Sequence, residues 1–241
     1  MKRYRFFCRP INMPVIELVG IEARHLSTVL RLNIGDEVEV FDGAGALACA
    51  TITGLHRDRV TLTVDSVQRR PQPGRGQIVI AASIAKGERF DWLIGKCTEL
   101  GVDRIMPVLY ERTVKQSRNP RTTERWENLI IAAAKQCRRL FLPRIDPPQS
   151  LSEVLQTTKN DYPQGHILLG SLNAQAPSLI SQKFDLSDVI AFVGPEGGLT
   201  EKEQDLLENS GTQPVCLTDT TLRIETAAIA FAAILTAQRR G

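Results

Sequence analysis

Between residues 37 and 67 apolar and polar positions alternate along the chain. Glu37–Phe41, Cys49–Leu55 and Val60–Val67 each put every second side chain on one face, which predicts half-buried β-strands. Turn formers separate them at Gly35-Asp36, Asp42-Gly43 and His56-Arg57-Asp58, and a helical stretch of about Ala23–Leu30 precedes them. The alternation stops at Arg69-Arg70-Pro71-Gln72-Pro73-Gly74-Arg75-Gly76, which reads as a linker. Beyond it the apolar runs become continuous, at Ile78–Ser83, Ile105–Leu109, His166–Leu169, Val189–Val193 and Val215–Leu217. Helical patterns lie between and after them, near Phe90–Leu100, Thr123–Arg139, Thr200–Asn209 and Thr226–Gln238. Strands that are apolar throughout predict a parallel sheet covered by helices on both faces. The expected fold is therefore α/β, with a small β-barrel domain over residues 1–72 and a larger α/β domain over residues 73–241.

Composition narrows the function classes. With 241 residues, 42% hydrophobic and 24% charged, the chain is that of an ordinary globular protein. Its longest apolar run, Ala227–Leu235, is nine residues, about half of what spans a bilayer. The basic start has no long apolar region behind it, so the expectation is a cytoplasmic protein with no membrane partner. The five cysteines at 8, 49, 97, 137 and 216 and the histidines His25, His56 and His166 show no ligand spacing, so no metal is expected. A nucleophile elbow, a Walker loop and a dinucleotide fingerprint are all missing, which removes the commonest hydrolase, NTPase and Rossmann readings.

Charge is unevenly placed. Residues 77–144 carry 13 Lys/Arg against 7 Asp/Glu, whereas residues 145–241 carry 6 against 12. The basic density peaks over residues 112–144 and includes Arg118, Arg121 and Arg125. That pattern is either a solvated helix face or a surface that neutralises nucleic-acid phosphates. Because the remainder is acidic, the positive charge is placed, which favours a nucleic-acid surface.

Four segments could carry chemistry. Val189–Val193 runs into Gly194-Pro195-Glu196-Gly197-Gly198-Leu199-Thr200, where Thr200 and Glu203 form a capping box for the next helix. Such a turn either cradles a ligand at a helix N-terminus or merely meets the steric needs of a tight bend. Arg223 and Glu225 open the apolar helix near Thr226–Gln238; they either pair with each other or face a ligand. Gln136, Arg138 and Arg139 end a helix before Pro143, where cations are favoured in any case. Lys96 and Glu99 fit an i,i+3 surface pair equally well.

Taken in order, Lys96–Val102, Gln136–Arg139, Gly194–Gly198 and Leu222–Ala227 resemble the bacterial small-subunit ribosomal RNA uridine-N3 methyltransferases. Arg5-Phe6-Phe7 and His25–Arg31 resemble that family's amino-terminal PUA-like domain. The resemblance covers nearly the whole chain. It implies a SPOUT-superfamily enzyme that uses S-adenosylmethionine, with a carboxy-terminal trefoil knot. It also implies a homodimer acting on ribosomal RNA, within a small-subunit particle. The neighbouring classes are SPOUT enzymes acting on transfer RNA or on a ribose 2′-hydroxyl, and an RNA-binding assembly factor without catalysis. Carried over by motif, the cofactor residues are Leu169, Gly170, Gly194, Pro195, Glu196, Gly197, Gly198, Leu217, Thr218, Leu222 and Arg223. Arg223, Glu225 and Arg138 are the catalytic candidates. Arg9, His25, Arg31, Arg118, Arg121, Arg125, Gln136 and Arg139 are the RNA contacts. The chain departs from the family at Thr218, Thr220 and Thr221, where Gly and Arg-Ile are common, and at Lys135, where many members have Glu.

Overall fold

The computed structural model describes residues 3–11, 13–113, 120–173 and 175–239. By contact the chain forms two units, residues 1–73 with 134–142, and residues 74–133 with 143–241. Arg118 lies outside the described residues.

The first unit is built on one five-stranded sheet. Its strands are β1 (Arg5–Phe7), β2 (Val15–Val19), β3 (Glu37–Phe41), β4 (Ala46–Leu55) and β5 (Arg59–Arg69), in the order β1-β3-β4-β5-β2. All neighbours are antiparallel except β1 and β3, which pair in parallel. The alternation of β4 buries Ala46, Ala48, Ala50 and Ile52 on one face, where they pack with Phe6, Val38, Val40 and Leu62. Short helix α1 (Gly20–Arg24) and a wider turn at His25–Val29 cover this core, with Ala23 and Leu26 buried. Residues 134–142 belong here: Lys135 Nζ donates to Glu22 Oε1 at 2.7 Å, and the Leu142 amide donates to the Gly43 carbonyl at 2.9 Å.

The second unit is a parallel sheet flanked by helices. Its strands are β6 (Ile78–Ser83), β7 (Arg104–Leu109), β8 (Arg144–Ile145), β9 (Gln149–Ser150), β10 (His166–Gly170), β11 (Val189–Val193) and β12 (Gln213–Val215). They run in the order β12-β10-β11-β6-β7-β8, with β9 also on β7, and every pair is parallel. Every residue of β6 and of β11 is buried because both faces are covered. On one face α4 (Leu151–Asp161) and α5 (Glu201–Glu208) bury Val154, Leu155 and Leu207 against Val79, Ala81, Ile190 and Phe192. Two further helices, α2 (Arg89–Leu100) and α6 (Ile224–Gln238), pack on each other, and α6 contacts β6 and β11. The remaining helix, α3 (Pro120–Cys137), is amphipathic and buries Trp126 and Ile130. The last strand ends earlier than its apolar pattern predicts. Its ladder partner β10 ends at Gly170, and Cys216 turns away to bond Pro177 and Leu179.

Candidate active site

Three adjacent parallel strands, β10, β11 and β12, end on the same edge of the sheet. In open α/β sheets this edge is where ligands bind. Leu169-Gly170, the turn after β11 and the loop from Cys216 to Arg223 enclose a cavity of about 580 Å³. Each piece has a local cause. The Gly198 amide donates to the Pro195 carbonyl at 3.0 Å, and Gly198 has φ of 74°, a conformation that only glycine adopts freely. The next helix then starts on the expected capping box, with Glu203 Oε2 accepting the Thr200 amide at 2.8 Å. In the last loop Thr218 Oγ1 accepts the Thr220 amide at 3.1 Å and donates to the Thr220 carbonyl at 2.9 Å. Two of the threonines that depart from the resembled pattern, Thr218 and Thr220, thus close this loop on itself.

Of the predicted cofactor residues, Leu169, Gly170, Gly194, Pro195, Glu196, Gly198, Leu217, Thr218 and Leu222 line the cavity, and Gly197 and Arg223 do not. The space beside the Gly197 Cα is taken by Arg112: a Cβ there would stand 3.3 Å from the Arg112 Cβ. Gly170 is needed for packing as well, since its Cβ would meet the Phe231 ring at 3.2 Å. Among the described residues the charged lining groups are Glu196 and Glu208. Glu196 is ion-paired with Arg89. A wall with carboxylates and no lining cation suits a ligand that carries positive charge, and disfavours a phosphate.

The catalytic candidates separate. Arg223 is exposed at the start of α6, its side chain has no partner among the described residues, and its neighbours Leu222 and Ile224 line the cavity. Glu225 is buried and makes no pair with Arg223, and among the described residues its Oε2 has no hydrogen-bond partner. Arg138 lies in the first unit, where its Nη2 donates to Glu39 Oε2 at 2.6 Å. Arg5 Nη2 donates to the same oxygen at 2.8 Å. Of the RNA candidates, Arg9, His25, Arg31, Gln136 and Arg139 are in the first unit, and Arg121 and Arg125 are in the second. Arg9 and Arg31 are exposed, His25 packs edge-on against Phe6, and Arg125 is paired with Asp91. Lys96 and Glu99 form the surface pair that their spacing allows, at 2.8 Å.

Sequence reasoning missed two parts of the site. Gln204, Leu207 and Glu208 of α5 line the cavity beside Thr212 and Pro214. Their i, i+3, i+4 spacing on a helix that begins at the glycine turn is a signal that could have placed them. Arg112 had no local signal at all, because it acts across 85 residues, donating to the Gly197 carbonyl at 2.8 Å.

Comparison with known proteins gives the family. A family model described as an RNA methyltransferase domain matches residues 72–236, and one described as an RNA methyltransferase PUA domain matches residues 20–65. Ribosomal RNA small subunit methyltransferase E of Synechocystis is 31% identical over 93% of this chain and 74% of its own length. The Bacillus subtilis protein of that name is 28% identical, over 89% of this chain and 86% of its own. The crystal structure of the Neisseria gonorrhoeae protein of that name, bound to S-adenosyl methionine, is 30% identical with a TM-score of 0.86, covering 99% of this chain and 98% of that one. A sheet whose strand ends enclose a carboxylate-lined cavity, matched over two thirds of the sequence, thus has a known setting: the chain belongs to the RNA methyltransferase family.

Proposed function

We propose that the chain transfers a methyl group from S-adenosylmethionine to N3 of one uridine in small-subunit ribosomal RNA. The observation that carries this reading is the cavity at the ends of β10, β11 and β12. Its size fits a nucleoside ligand, and its lining carboxylates fit a sulfonium with an α-ammonium group better than any phosphate. Leu169, Gly170, Gly194, Pro195, Gly198, Leu217 and Leu222 would hold the cofactor between apolar side chains and close-approaching backbone. When bound, the cofactor supplies an electrophilic methyl carbon on sulfur.

The chain's own residues have two tasks. Uracil N3 becomes nucleophilic only as its proton leaves, so negative charge develops on the base oxygens. The exposed guanidinium of Arg223, next to two lining residues, can meet that charge. We take Glu196, a cavity-lining carboxylate paired with Arg89, as the proton acceptor. Buried Glu225, off the cavity wall, is not. We assign Arg138 to the ion pair with Glu39 rather than to chemistry. The same reading makes the protein cytoplasmic. It also makes it a homodimer, with α6, apolar nearly all round, at the contact.

Two measurements test the proposal. Titration calorimetry should give saturable binding of S-adenosylmethionine. Mass spectrometry of ribosomal nucleosides from a deletion strain should show loss of 3-methyluridine. Loss of a 2′-O-methylated nucleoside or of a transfer RNA modification would reassign the substrate. Absence of cofactor binding would leave an RNA-binding assembly factor.

A further inference from the structure

The turn that follows β7, Tyr110-Glu111-Arg112-Thr113, is pinned at three points. Thr113 Oγ1 accepts the Tyr110 amide at 2.8 Å and lies 3.2 Å from Ser83 Oγ. The Glu111 amide donates to Glu203 Oε1 at 2.8 Å, and Glu203 is the residue whose other oxygen caps α5. Arg112 therefore projects from a fixed base. Its stem runs over Gly197, and its Nη1 donates to the Gly197 carbonyl at 2.8 Å. Among the described residues it uses one N–H of five. Among the described residues Arg112 has no carboxylate partner, and the residue is exposed. The contrast with Arg89, whose charge is taken up by Glu196, is direct. A guanidinium with its stem immobilised, its charge uncompensated and most of its donors open to solvent is prepared for an oxyanion. It stands one residue from Gly198, which lines the cavity.

We propose that Arg112 is a positioning residue that holds a backbone phosphate of the RNA beside the target nucleotide. This rests on the reading of the chain as an RNA methyltransferase that uses the cavity for its cofactor. The phosphate sits on the solvent side of the Gly194–Gly198 turn and the cofactor on the other. Gly197 is glycine so that the Arg112 stem can lie there, which explains why it is off the cavity wall.

The test uses the full-length protein and small ribosomal subunits from a strain lacking its gene. Affinity is measured between 50 and 200 mM salt, with turnover and S-adenosylmethionine affinity beside it. Arg112→Ala should raise KM for the subunits about tenfold with kcat changed less than about threefold. It should reduce the slope of log affinity against log salt by about 0.7, one contact's share for single strands. Cofactor affinity should stay within about twofold. Arg112→Lys keeps the charge and should restore the slope. If both variants lose cofactor affinity while the salt slope keeps its wild-type value, Arg112 only braces the glycine turn and the proposal falls. If the slope drops in Arg112→Ala but the wild-type protein transfers no methyl group, the phosphate contact stands and the enzymatic reading is the part that fails.

Discussion

Gly197 and Gly198 are neighbours under different demands. Gly198 is left-handed and lines the cavity, whereas Gly197 has an ordinary φ and leaves room for a side chain from another loop. An L-residue at position 198 bears about 1–2 kcal/mol of backbone strain, so Gly198→Ala should weaken S-adenosylmethionine binding about tenfold in calorimetry. Gly197→Ala should leave it within about twofold, and equal losses would mean that both glycines meet the cofactor. Among the described residues the Arg223 side chain has no partner to lose, so Arg223→Ala should keep the melting temperature. Its kcat should fall by about 10²–10³, the usual effect of deleting one donor to a developing oxyanion. A parallel loss of stability would instead make Arg223 a structural residue. Cys97 is a contrasting case. Burial pushes its thiol up to about 12, so almost none is thiolate at pH 8, and it should resist iodoacetamide until the second unit unfolds. Labelling of Cys97 at the rate of an exposed thiol in the native protein would contradict that burial.

Elements differ in how much of them the sequence announces. The strands β3, β6 and β11 and the helices α2, α5 and α6 follow from their periodicity, since their burial is decided by residues within one element. The capping box of α5 is equally local, with both partners three residues apart. Strands β1 and β2 escape notice: β1 is three residues long and pairs with β3, 34 residues away, while β2 pairs with β5. Helix α4 escapes too, although Ser150 and Glu153 form its capping box. The cavity was legible at its glycine turn and strand ends and illegible at α5 and Arg112, which reach it only through tertiary contacts. Glu203 shows both kinds of contact. Thr200→Ala removes only a cap and should cost about 1 kcal/mol. Glu203→Ala leaves the Thr200 and Glu111 amides without their acceptor, at about 1–3 kcal/mol each. Urea unfolding should therefore separate the two variants clearly; equal midpoints would show that the Glu111 contact adds nothing.

At the scale of the molecule, the two units divide the charge differently from the linear sequence. Read linearly, the most basic stretch, residues 77–144, falls in the larger domain. Counted by unit, residues 1–73 with 134–142 hold 13 Lys/Arg against 8 Asp/Glu, and the second unit holds 17 against 19. Residues 134–142 carry Lys135, Arg138 and Arg139, and no periodicity marks them as part of the first unit. The net charges are thus +5 and −2, with the cavity wall wholly in the second unit. RNA affinity should therefore depend mainly on the first unit, with Arg112 as the second unit's contribution, and cofactor affinity on the second unit alone. If roughly four phosphates are neutralised, with a slope of about 0.7 each as for single strands, RNA affinity should fall about fifty-fold between 50 and 200 mM salt. Arg9 and Arg31, both exposed in the first unit, would account for two of these contacts. The double variant Arg9→Glu with Arg31→Glu should lower the slope by about 1.4. Its S-adenosylmethionine affinity, measured at the same salt concentrations, should match the wild type. Reversing Arg125 should matter less, because Asp91 already takes up its charge. An unchanged slope in the double variant would move the phosphate contacts away from the first unit's exposed arginines.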